Sequence, residues 1–223
     1  VKGVQHWLSA DGIFHVEAPY LKPMVDHLEF DTIYHEHLSY FSVTALDRLF
    51  KEAGMVLWDV EEIPLHGGSL IARGKRSGAP KPAVAQYLAM EKAEGYTANK
   101  KLHAFADGTR KLQTVLPAFL SDLKKKGTLA AYGAAAKGVV LTNYCKIGTD
   151  LLGWVADKSP YKQGKLTPGM HIPVVGAEKV IAEKPTHLVV LAWNFFDEIV
   201  KQQDAYRQAG GKFVVPVPAP QVR

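Results

Sequence analysis

Apolar and polar positions along this chain follow two different periods, and the change between them divides it. Ile13-Phe14-His15-Val16-Glu17 alternates residue by residue, the signature of a strand with one buried face, and Pro19 and Pro23 are expected to stop it. Val4 to Leu8, just before, has helical character. Val43 to Ala53 places Leu46, Leu49 and Phe50 at helical spacing, with Gly54 placed to cap the helix. Strands are predicted at 55–60 and 70–72, the second entered through His66-Gly67-Gly68-Ser69. Lys75, Arg76, Gly78, Pro80 and Pro82 crowd one short run that reads as a linker. Two helices are predicted next, about 83–95 and 97–126. The second carries Leu102, Phe105, Leu112, Val115, Phe119 and Leu123, and Pro117 is expected to kink or break it.

From Thr128 the pattern changes to short apolar runs separated by helical segments. Strands are predicted at 128–132, 151–157, 187–192 and 212–216. A tight turn at 133–138 leads into a helix, and 195–209 is helical. Such alternation argues for a parallel sheet, so the fold class is α/β. The chain divides into 1–74, a connecting segment with helices over 75–126, and a Rossmann-like domain over 127–223.

Composition narrows the picture little. The 223 residues are 47% hydrophobic and 22% charged, an ordinary globular balance with enough material for a core. No apolar run reaches membrane-spanning length, and Val1-Lys2-Gly3-Val4-Gln5-His6-Trp7 is no signal peptide. Cys145 is the single cysteine, which excludes an internal disulfide and a cysteine-rich zinc site within these residues; a cytoplasmic location is expected. The formal charge is +5, densest at Lys124-Lys125-Lys126, where lysines complement the end of a helix. No interleaving of aromatic and basic residues accompanies it, so nucleic acid is not expected as a partner. An anionic small molecule suits this balance better.

Candidate chemistry concentrates in two places. Phe30-Asp31-Thr32-Ile33-Tyr34-His35-Glu36-His37-Leu38-Ser39-Tyr40-Phe41-Ser42 packs a tyrosine, two histidines and a glutamate into consecutive positions, the side chains that move protons near neutral pH. The same histidines, alternating, would also suit a metal, but no third ligand stands out, and none is expected. The second place is Tyr132-Gly133-Ala134-Ala135-Ala136-Lys137-Gly138, a strand–turn–helix whose small residues let backbone amides approach an anion. It is neither the dinucleotide fingerprint nor a Walker loop, which disfavours a Rossmann oxidoreductase. Close helix–strand packing explains the small residues equally well.

These two stretches, together with Leu65-His66-Gly67-Gly68-Ser69-Leu70, Asp157-Lys158-Ser159-Pro160-Tyr161-Lys162-Gln163-Gly164, Pro168-Gly169, Ile172-Pro173-Val174 and Trp193-Asn194, resemble the S-adenosylmethionine-dependent sugar C-methyltransferases. The matches run in the family's order over nearly the whole chain. The resemblance implies the closing part of a class I methyltransferase domain followed by a Rossmann-like carboxy-terminal domain, acting on a nucleotide-linked keto sugar. It also implies S-adenosylmethionine as donor, although the family's glycine-rich donor loop and its amino-terminal zinc cysteines are not found here. Zinc is expected only in such an amino-terminal domain.

Methylating carbon next to a carbonyl requires a base and a group that holds the enolate oxygen. By the resemblance His37 is the base, Glu36 orients it or accepts the proton in its place, and Tyr34 bonds the sugar near the reacting carbon. His35, His66, Gly133, Lys137, Asn143, Lys158, Tyr161 and Lys162 are the candidate substrate-binding residues. A noncatalytic module that binds a nucleotide sugar or a partner is the alternative. A sheet with an unpaired edge would also invite self-association.

Overall fold

The structure is a computed structural model that describes residues 1–64 and 67–223. It comprises two compact units, one of residues 1–28 and 37–106, the other of residues 29–36 and 107–223. The boundary thus falls twice within sequences of interest, once between Glu36 and His37. Among the described residues no helix is long and apolar enough to cross a membrane.

The first unit opens with α1 (Lys2–Trp7), β1 (Phe14–Pro19) and α2 (Leu21–Asp26), then α3 (Val43–Glu52), β2 (Val56–Ile63), β3 (Ser69–Lys75), α4 (Pro82–Glu94) and the start of α5 (Asn99–Lys124). Its sheet has the order β1-β3-β2 and is antiparallel throughout. Leu46 and Phe50 of α3 bury against Leu57 and Val60 of β2 and Leu70 and Ala72 of β3. Gly74 has no side chain because the Phe50 ring stands where its Cβ would be. Gly54, at φ +70°, ends α3 as expected.

Pro23 does not stop a strand but sits in the first turn of α2, where a helix has no use for its missing N–H. Pro19 is the last residue of β1, an edge strand that tolerates it. Pro117 lies inside α5 without ending it, between the fully buried Leu116 and Leu120, whose packing outweighs one lost backbone hydrogen bond.

The second unit contains a 3-10 turn at Phe30–Thr32, the rest of α5, then β4 (Leu129–Tyr132), α6 (Ala136–Tyr144), β5 (Val155–Asp157), β6 (Val174–Gly176), α7 (Lys179–Glu183) and β7 (His187–Val190). A second 3-10 turn (Trp193–Phe195) leads to α8 (Phe196–Gln202), α9 (Asp204–Gln208), β8 (Lys212–Val215) and β9 (Gln221–Val222). The strand order is β6-β5-β4-β7-β8-β9, parallel apart from β9. Every residue of β4 and β7 is buried, as central parallel strands require. Two expectations change. Strand 151–157 is reduced to Val155–Asp157, and the helix at 195–209 is interrupted at Gln203; β9 also pairs outside β8.

From β4 the chain steps one way to β5 and β6, then crosses back to β7. The reversal opens a crevice beyond the carboxyl ends of β4 and β7, the place where open α/β sheets bind ligands. Gly133 turns there at φ +93°. A Cβ on it would stand 2.8 Å from the Ala192 Cβ and 3.1 Å from the Ala192 backbone nitrogen. Gly133→Ala is therefore expected to destabilise the chain by about 1–3 kcal/mol, measured by denaturant unfolding.

Candidate functional site

At this crevice three side chains from distant parts of the sequence meet. Asp31, in the first 3-10 turn, is fully buried, and its Oδ2 accepts a hydrogen bond from Trp193 Nε1 at 2.6 Å. Lys137, in the first turn of α6, is buried and lays its ammonium 4.4 Å from the centroid of the Trp193 ring. Burial pushes the Asp31 carboxyl up to about 6, against the opposing pull of the Trp193 hydrogen bond and the Lys137 charge.

The strip that follows Asp31 is not extended. It bends at Tyr34 and turns at His35 and Glu36, so His35 and His37 do not alternate along a strand. Tyr34 is half-buried, with His35 edge-on to its ring at 6.4 Å; His35 and Glu36 are exposed. Burial, then the charges of Glu36 and Asp31, raise the Tyr34 phenol. His37 belongs to the other unit, half-buried, with the Tyr40 ring edge-on at 6.3 Å. The chain beyond it is firmly held. Phe41 bridges Tyr20, and Ser42 caps α3 by accepting from Ala45 N–H at 3.0 Å.

Gly133 shapes the turn out of β4. Asn143 lies further along α6, where its amide donates to Val139 O (2.8 Å) and Pro168 O (2.9 Å) and packs against Gly169. It fastens the loop at Thr167–Gly169 to the helix. Lys158, Tyr161 and Lys162 are all exposed on the loop after β5. That loop is stitched by Asp157, which accepts from Ser159 N–H (2.8 Å), Ala134 N–H (2.8 Å) and Lys162 Nζ (3.3 Å). A cavity of about 310 Å³ lies beside it, lined by Ala134–Ala136, Val139, Lys162, Lys165 and Leu166 among others. A second cleft, about 370 Å³, is lined by Tyr132, Asp157, Lys158, Phe195 and Glu198 among others. His66 lies outside the described residues. Among the described residues no group of three His, Cys, Asp or Glu side chains is placed to hold a metal ion.

Sequence reasoning gave no role to Asp31 or Trp193. Both stood inside matched motifs, but nothing in the local pattern of either pointed to the other.

The fold and crevice define a Rossmann-like α/β unit whose crevice carries the buried Asp31 and Lys137. Residues 64–218 match the family described as the C-methyltransferase C-terminal domain. The chain is also 36% identical over 226 aligned residues to the C-methyltransferase NovU of Streptomyces niveus, an alignment that covers all of this chain and 54% of that protein. This chain belongs to the C-methyltransferase family. It spans about half the length of that curated relative.

Proposed function

We propose that this chain is part of an S-adenosylmethionine-dependent C-methyltransferase that enolises a nucleotide-linked keto sugar and methylates the resulting carbanion. Membership of the C-methyltransferase family along the whole chain carries this reading. His37 removes the proton next to the carbonyl, Glu36 orients it or takes the proton onward, and Tyr34 donates to the sugar oxygen as charge develops there. A phenol whose ionisation is disfavoured by burial keeps its proton and stays a donor at neutral pH.

The methyl donor, when bound, supplies an electrophilic methyl group. The turn from β4 into α6 does not fit as its cradle. Its Ala134 N–H is already taken by Asp157, and that carboxylate, which stands at the end of the next strand where such folds hold a ribose, already accepts three hydrogen bonds. No donor-binding residue is assigned in this chain.

The nucleotide is assigned to the cavity at the start of α6. Lys162 and Lys165 supply positive charge beside the diphosphate, and Val139, Leu166, Pro168 and Val174 supply apolar lining. Calorimetric titration of the chain with thymidine diphosphate tests this. Binding that weakens with salt is expected, and the Lys162→Ala/Lys165→Ala double variant should bind about tenfold or more weakly. Unchanged affinity in the double variant would remove the assignment.

A further inference from the structure

Asp31 is a carboxylate placed where carboxylates are costly. Its turn is closed by Thr32 N–H to Glu29 O (3.1 Å) and Ile33 N–H to Phe30 O (3.0 Å), and the Phe30 ring packs 5.0 Å from that of Tyr144 on α6. Oδ2 is bonded to Trp193, but among the described residues Oδ1 is sealed from solvent with no hydrogen-bond partner, and so is Lys137 Nζ. Two opposite charges are thus buried against one indole, neither fully satisfied. Packing alone would be served better by asparagine, which accepts the same indole hydrogen bond with no charge to desolvate.

We propose that Asp31 is a positioning residue for the proton-transfer strip, held by Trp193 and Lys137 so that the turn at Phe30–Thr32 fixes where Tyr34, His35 and Glu36 emerge. The proposal rests on the methyl-transfer reading above. Only two residues separate Asp31 from Tyr34, so a shift of the turn is passed directly to the strip. The charged and titratable groups that face Asp31 are Lys137 and Cys145 from α6 and its end, and Tyr34 from its own strip. Asp31 keeps its proton in the folded chain up to about pH 6, whereas an ordinary carboxyl loses it near 3.8. Between those values the folded state holds a proton that the unfolded state has released. Wild-type stability therefore falls as pH rises through this window, and the full penalty stands above it.

The test is Asp31→Asn in the full-length encoded polypeptide, with Trp193→Phe as a second variant that removes only the indole donor. Methyl transfer is assayed from S-adenosylmethionine to a thymidine-diphosphate-linked keto sugar, and thermal unfolding is followed from pH 5 to pH 8. Both variants should lose about tenfold to a hundredfold in kcat with KM for the sugar nucleotide little changed. The Asp31→Asn melting temperature, taken relative to the wild type, should rise from pH 5 through about pH 6 and level off above it, on an offset set by the buried Lys137 left without its counter-charge. Wild-type kcat in both variants overturns the proposal, as does a melting-temperature difference between Asp31→Asn and the wild type that does not change from pH 5 to pH 8, which marks a merely structural role. A wild-type polypeptide that transfers no methyl group overturns the reading beneath the proposal, and the proposal with it.

Discussion

Replacing His37 by asparagine in the full-length polypeptide is expected to lower kcat for methyl transfer by roughly 10²–10⁴-fold, the contribution of one well-placed general base, while the sugar nucleotide still binds. Asparagine keeps the approximate reach of the imidazole and can hydrogen-bond, but it takes up no proton near neutral pH. Binding should survive because the groups assigned to the nucleotide, Lys162 and Lys165 with the opening of α6, lie in the other unit. His35→Asn serves as the control. Its ring is exposed and edge-on to Tyr34, and a small effect there beside a large one at His37 separates the two histidines. Steady-state kinetics with a thymidine-diphosphate-linked keto sugar measures both. An active His37→Asn enzyme would remove the base from this account.

The largest loss of stability is expected at Glu91. This α4 side chain is completely buried in the first unit. Its Oε1 accepts from Tyr20 Oη (3.0 Å) and Val43 N–H (2.6 Å), its Oε2 from Thr44 N–H (2.9 Å) and Thr44 Oγ1 (2.6 Å). The carboxylate thereby caps the N-terminus of α3, where the helix dipole favours negative charge. It also ties α4 to the segment that follows β1, and burial together with this carboxylate pushes the Tyr20 phenol far up. Glu91→Ala strands four buried or half-buried donor groups at once and should cost about 3–5 kcal/mol, a large share of a domain's usual 5–15 kcal/mol. Glu91→Gln keeps the shape but turns a donor toward donors, and about 1–3 kcal/mol is expected. Denaturant unfolding measures both. A Glu91→Ala chain as stable as the wild type would show that the cap is dispensable.

The long elements could be read from the sequence because their periodicity repeats often enough to be distinctive. The helices predicted at 83–95 and 97–126 are observed as Pro82–Glu94 and Asn99–Lys124, and Leu112, Leu116, Leu120 and Leu123 bury one side of the second. The parallel sheet of the second unit followed from alternating strand and helix. What escaped were elements too short to show a period: α2, β6, α7 and β9 span between two and six residues. They form because neighbours provide hydrogen bonds, as β5 does for β6 and β8 for β9.

The candidate site was legible only where its proposed chemistry is contiguous. Tyr34 to His37 stand side by side in sequence. Asp31 acquires its meaning from Trp193, 162 residues away, and no local pattern announces that pairing. Lys137 looked like a point charge for a phosphate, yet it is buried over an indole, a placement set by the return of the chain to β7. Asn143 looked like a contact for substrate and is occupied in holding Pro168 O.

The central claim is that this chain supplies the base that makes a sugar carbon nucleophilic. Its most direct test omits the methyl donor and follows exchange of the proton next to the carbonyl in D₂O, by NMR of a thymidine-diphosphate-linked keto sugar incubated with the full-length polypeptide. The wild type should introduce deuterium at that carbon well above the uncatalysed rate, and His37→Asn should fall to that background. Equal exchange by both, or none by an enzyme that still methylates, would contradict the account.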